Sequence, residues 1–144
     1  MSTFDENLER KIELMAMKLY RELNKPSQCC KRVIKAGIEV DSQTLDEVLK
    51  SCRVVLLNFY STMCPYCELY HPVFVSVGRK YEGKAAFVRM NAYANPEKAM
   101  EYGIMNLPST VVFIDEKPRG LLEGFVREDV LENVVEKVLK EAGC

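Results

Sequence analysis

Seven consecutive residues, Val54-Val55-Leu56-Leu57-Asn58-Phe59-Tyr60, hold a single polar side chain, Asn58. A β-branched and aromatic run of this kind fits a central strand covered on both faces. Such a strand needs neighbours in a sheet and helices above and below it.

The flanking sequence supplies them. Ile38 to Val40 can form a short strand, and Asp41 or Ser42 can cap a helix running to about Ser51, with Leu45, Val48 and Leu49 inward. A second helix is expected from about Cys64 to Tyr81, closed by Gly83. Ala85 to Met90 reads as a strand, and Pro96 to Tyr102 as a short helix with proline in its first turn. Thr110 to Ile114 and Leu121 to Phe125 read as two strands joined by a turn around Lys117, Pro118 and Gly120. From about Glu128 to Glu141, Val130, Leu131, Val134, Val135, Val138 and Leu139 share one face of a closing helix. The order β-α-β-α-β-α-β-β-α implies an α/β domain: a mixed central sheet with helices on both faces.

An amphipathic helix precedes it. Leu8, Ile12, Met15, Ala16, Leu19 and Leu23 recur at spacings of three and four, and Asn24 to Ser27 break the pattern. Residues 1–36 carry eight basic and five acidic groups, net +3, against −4 for the rest. We therefore divide the chain into an N-terminal helical extension, 1–36, and a domain, 37–144. The apolar stripe must be covered by the domain, a second copy or a partner; packing on the domain is the expectation.

With 144 residues the chain has room for a core that needs no staple, and 48% apolar with 28% charged residues excludes general disorder. A formal charge of −1 argues against nucleic acid or a membrane surface as partner. The start, MSTFDENLERK, is polar and acidic, and the longest apolar run before a polar residue is Val54 to Leu57. Neither resembles a signal peptide or a membrane span, so a cytoplasmic protein is expected. There, a cysteine pair is a redox or metal site before it is a structural bridge.

One pair stands out: Cys64-Pro65-Tyr66-Cys67, directly after the buried strand and at the start of a helix. This is the carboxyl side of the sheet, where α/β sites form. At a helix N-terminus the unpaired N–H groups and the helix dipole favour a thiolate. Pro65 suits the first turn, where its missing donor costs nothing. Cys67 returns to the same face one turn deeper. Cys64 is then the attacking sulfur and Cys67 the sulfur that displaces a bound partner.

From Ile38 to Leu139 the sequence resembles the thioredoxin family, through LLNFYSTMCPYCELYHP at 56–72, FVRMN at 87–91, NLPST at 106–110 and Gly124. The resemblance implies a thioredoxin fold and dithiol–disulfide exchange with protein disulfides, with Cys64 as nucleophile and Cys67 as resolving thiol. It further implies that Pro108 is a cis-proline beside the disulfide and that Leu107 offers its backbone to an extended substrate segment. Tyr66, inside the motif, is a candidate for the substrate groove; Tyr60, in a strand, reads as core. Pro72 matches a family proline inside the second helix. No bound cofactor is implied, and a thioredoxin reductase drawing on a nicotinamide is the implied partner.

The chain departs from the family in four places. Met63 stands where a tryptophan is usual; Pro65-Tyr66 is the glutaredoxin pair; Glu68 replaces a lysine; and Asn58 occupies the place of a buried acid that helps deprotonate the resolving thiol. Asn58 cannot take up a proton, so water serves, another group does, or resolution is slow. A glutathione-dependent glutaredoxin is one alternative, but Asn106-Leu107-Pro108-Ser109 and a lone Gly124 lack its Thr-Val-Pro loop and Gly-Gly pair. A non-catalytic binding module on the same fold is the other.

His71, the only histidine, joins Cys64 and Cys67 in a three-ligand set, but no fourth ligand sits at zinc-finger spacing, and no metal is expected. Adjacent cysteines bridge each other only under strain. Cys29 and Cys30 are thus expected as free, incidental thiols, or with one of them paired to Cys52 or Cys144. Cys52 is expected to end a helix and pack, and Cys144 to be mobile.

Overall fold

The computed structural model describes residues 3–23 and 29–144. Five strands form one sheet in the order β1-β3-β2-β4-β5, with β1 Ile38–Glu39, β2 Val54–Tyr60, β3 Ala86–Asn91, β4 Ser109–Ile114 and β5 Lys117–Glu123. β3 is parallel to β1 and β2, whereas β4 is antiparallel to β2 and β5 to β4. The sheet is mixed, as expected, and β2 is its middle strand, buried from Val54 to Phe59.

Alternation along β2 divides the core in two. Val55, Leu57 and Phe59 pack with Leu45, Val48 and Leu49 of helix α2, Ser42–Ser51. Val54 and Leu56 pack with Tyr70, Phe74 and Val77 of α3, Pro65–Lys80, and with Leu131, Val135 and Leu139 of α5, Glu128–Ala142. Burying each large side chain stabilises by roughly 1.5–3 kcal/mol. Asn58 falls on the α3 side by the same alternation. Helix α4, Pro96–Glu101, contributes Ala99 to the α2-side core.

Local chemistry sets the joints. Asp41, rather than Ser42, caps α2: its carboxylate accepts from Thr44 N at 2.9 Å, and its own N–H donates to Thr44 Oγ1 at 2.8 Å. Gly78 lets α3 settle on β3, since a Cβ there would lie 2.8 Å from Ala36 Cβ and Phe87 Cβ.

The hairpin differs from expectation. Its turn is Asp115-Glu116, both at positive φ (51° and 69°), so Lys117, Pro118 and Gly120 belong to β5. β5 is an edge strand, where a proline without N–H is tolerated, and the register shifts between Val112 and Phe113. Gly124, at φ 80°, follows β5 instead of lying within it.

The cysteines outside the motif also correct the sequence reading. Cys29 is bonded to Cys144 and Cys30 to Cys52, so none of the four is free and Cys144 is anchored. Cys29 O accepts from Arg53 N and Lys31 N donates to Ser51 O, each at 2.7 Å. This short antiparallel bridge extends the backbone at Cys29 and Cys30, so successive side chains diverge to different partners. Cys52 caps α2 as expected and is bridged besides. Both bridges lie at the start of β2, the pole away from Cys64.

Helix α1, Thr3–Leu23, was expected to bury its stripe on the domain. Instead Leu8, Ile12, Met15 and Leu19 are 49–72% exposed, as every described side chain from Glu6 to Arg21 is exposed. Both sheet faces are already covered by α2 to α5, which leaves the sheet no face for α1. The break expected at Asn24 to Ser27, and the side chain of Leu23, lie outside the described residues. No described helix is long and apolar enough to cross a membrane.

Candidate active site

β2 ends at Tyr60, and after a four-residue connection α3 begins at Pro65, which takes the first helical position. Cys64 is therefore the N-cap. The Cys67 N–H donates to Cys64 Sγ at 3.2 Å, so a sulfur occupies the place where a capping oxygen normally satisfies an orphan donor. The two cysteines are disulfide-bonded with Cα atoms 5.2 Å apart. Cys64 is half-buried and Cys67 is 1% exposed, which matches the expected outer and inner sulfurs.

The connection into β4 forms the second wall. The Leu107–Pro108 peptide is cis, as the resemblance implied, and the Leu107 carbonyl oxygen lies 3.7 Å from Cys64 Sγ. Pro108 is buried and its carbonyl accepts from Gly124 N at 2.7 Å, tying the loop to the end of β5. Ser109 Oγ donates to Asn106 O at 2.6 Å and holds the loop from within. Tyr66 is 65% exposed, Leu107 half-buried, and Glu68 points to solvent, away from the buried Cys67.

A polar layer lies beneath α3. Tyr70 shares a 3.1 Å hydrogen bond with Thr110 Oγ1, and burial pushes its phenol up to about 12. Asn58 is 1% exposed and pairs laterally with Arg89 on β3 and Thr110 on β4. The Arg89 guanidinium lies 3.8 Å over the Tyr60 ring, so Tyr60 is half-buried under a cation and is not simply core. Burial lowers the Arg89 pKa, partly offset by Glu39. His71 is half-buried; burial first, and Arg89 second, hold it below its usual pKa. Among the described residues no group is arranged to hold a metal ion.

The Thioredoxin family profile matches residues 37–137. The chain belongs to the thioredoxin family. It is 33% identical over 99 residues to thioredoxin 1 of Nostoc sp. (strain PCC 7120), covering 69% of this chain and 92% of that one. It is 30% identical over 110 residues to the chloroplastic thioredoxin M4 of Arabidopsis thaliana, covering 74% of this chain and 57% of that one. A single-residue mutant of the thioredoxin from Halobacterium salinarum superposes with a TM-score of 0.66 at 29% identity, over 72% of this chain and 90% of that one. As a thioredoxin, the chain is a thiol–disulfide oxidoreductase, and the glutaredoxin and binding-module alternatives are not favoured.

Sequence reasoning placed all five candidates, Cys64, Cys67, Tyr66, Leu107 and Pro108, around one sulfur pair. It missed the polar layer. Arg89 sits inside β3, where one basic residue among apolar neighbours is the available signal. Met105, 84% exposed beside the cis-proline loop, went unnamed, and Met63, named only as the residue in a tryptophan's place, is 93% exposed beside the motif.

Proposed function

We propose that this thioredoxin exchanges disulfides through Cys64 and Cys67. In the reduced protein Cys64, ionised at the N-terminus of α3, attacks a substrate disulfide; Cys67 then displaces the substrate and closes the 64–67 bond. The carrying observation is Cys64 Sγ as the cap of α3, accepting from Cys67 N at 3.2 Å, because that donor also stabilises a thiolate there. Pro108, Leu107 and Tyr66 are read as the substrate-binding wall, with the Leu107 backbone pairing an extended segment of the substrate. Exposed Met63 and Met105 give that wall an apolar rim suited to unfolded or extended protein.

Partners in this reading are protein disulfides and a thioredoxin reductase that returns the pair to the dithiol. Residues 37–144 form the catalytic domain and 1–36 an extension of it. Two bridges outside the site bear on location: in a strongly reducing cytoplasm such thiols stay reduced. The cytoplasmic reading, and a part in electron transport there, therefore fit a cell interior that maintains disulfides.

The test is a trap. Cys67→Ser should accumulate mixed disulfides with proteins on Cys64, and Cys64→Ser should bring turnover of a model protein disulfide to background. An empty trap together with undiminished turnover in Cys64→Ser would overturn the assignment.

A further inference from the structure

Three buried nitrogens beneath the motif have no hydrogen-bond partner among the described residues: Asn58 Nδ2, Arg89 Nε and His71 Nδ1. They belong to one neighbourhood. Asn58 and Arg89 are lateral partners on β2 and β3, and alternation turns both toward α3. His71 lies one helical turn after Cys67 on α3, the spacing at which side chains are neighbours. Its Cε1 is 3.8 Å from where a Cβ on Gly37 would stand, beside the β1–β3 edge, and it is near enough to Arg89 for the cation to bias its titration. The guanidinium is itself fixed over Tyr60.

Orphan polar groups in an interior are costly, and a water with three or four polar partners is the usual remedy. Asn58 Nδ2 and Arg89 Nε can only donate, whereas a neutral His71 Nδ1 can accept. A water receiving from Asn58 Nδ2 keeps its second lone pair for the thiol proton of Cys67, a turn away, and has a proton of its own to give to His71 Nδ1. We propose that His71 accepts the proton of Cys67 through such a water, which Asn58 holds while Arg89 borders the site. The proposal rests on the reading of Cys64 as nucleophile and Cys67 as resolving thiol.

The Cys67 thiol passes its proton through the water to His71, and the resulting thiolate attacks Cys64 Sγ. The bond between Cys64 and the substrate sulfur breaks as the 64–67 bond forms, so the cysteine pair is oxidised and the substrate reduced. The departing substrate thiolate takes the proton back from the imidazolium. The charged and titratable groups around His71 are Arg89 from β3, Glu39 of β1 and Tyr60 of β2 beside Arg89, and Cys67 and Tyr70 on α3 itself. Burial and Arg89 keep the imidazole neutral near pH 7, ready to accept, and make the imidazolium short-lived.

Stopped-flow reaction with 5,5′-dithiobis(2-nitrobenzoate) separates the two steps. The sample is protein in which only the 64–67 bond has been reduced, verified by a count of two thiols. The first nitrothiobenzoate released reports attack by Cys64 and the second reports displacement by Cys67. His71→Gln should slow the second phase about tenfold at pH 7 and shift its pH profile up to that of an unassisted thiol, with the first phase changed less than twofold. Asn58→Asp added to that variant should restore the second phase, since a carboxylate can accept the proton. If His71→Gln fails to fold, Asn58→Leu, which removes the water's holder, should show the same loss. An unchanged second phase and pH profile in the folded variant would overturn the proposal. Absence of the first phase in the wild type would instead overturn the nucleophile assignment beneath it.

Discussion

Tyr70 ties the middle of α3 to β4 through one buried hydrogen bond to Thr110, and its phenol is held at about 12 by burial. The sign of the consequence is fixed. A group whose folded pKa is raised adds stability that is complete below its unfolded value, near 10, and is lost as pH climbs toward the folded value. We expect urea midpoints to hold steady to about pH 10 and then to fall, and Tyr70→Phe to flatten that fall. The same variant should cost about 1–2 kcal/mol at pH 7, because Thr110 is left buried without its partner. Midpoints that track pH identically in both proteins would contradict this account of Tyr70. Residues of this kind were hard to read in the sequence. A tyrosine three positions after a cysteine, and an arginine inside an apolar strand, announce nothing about the layer they share, because that layer exists only once β2, β3 and α3 are stacked. Cys64 and Cys67 were legible for the opposite reason: their spacing, and a helix start directly after a buried strand, are local facts.

The elements themselves follow the same division. β2, α3 and α5 appear within a residue or two of where periodicity places them, because each satisfies a strong local pattern and a matching burial. The β4–β5 hairpin does not. Its turn is Asp115-Glu116, with no Asn-Gly or Asp-Gly signal, and both residues take the left-handed conformation that side chains resist. Pro118 and Gly120 advertised a turn that the edge of the sheet absorbed as strand. Replacing Glu116 by Gly should therefore raise stability by up to about 1 kcal/mol, read as a higher denaturant midpoint with unchanged slope; a lower midpoint would mean the carboxylate matters more than the φ. The stripe of α1 was legible as amphipathic, but whether a cover existed depended on how much sheet remained bare, which only the assembled domain decides.

For the whole molecule, the bridges outside the site carry the largest energetic consequence. Sequence length argued that the core needs no staple, yet two bridges outside the motif are present in addition to the buried residues on both sheet faces. The bridges act on the periphery, fixing residues 29–31 to the start of β2 and to Cys144. In the chain-entropy account, a bridge spanning 115 residues restrains the unfolded chain by about 5 kcal/mol, and one spanning 22 by about 3. Cys144→Ser should accordingly lower the thermal midpoint by well over 5 °C while leaving thiol–disulfide exchange intact, measured by calorimetry beside a turnover assay. A midpoint unmoved by that substitution would show that the 29–144 bond does not bear on the domain.

That bond also changes what kind of object the polypeptide is. With Cys29 joined to Cys144, the stretch between them is a closed circuit, and α1 hangs from it as a branch. A single proteolytic nick at the Asp115-Glu116 turn opens the circuit without shedding a piece, since both halves stay linked through sulfur. A nick ahead of Cys29 detaches α1 in one stroke. Cleavage at the turn therefore leaves one covalent molecule for as long as the clasp stays oxidised, whereas cleavage ahead of Cys29 releases α1 whatever the state of that bond.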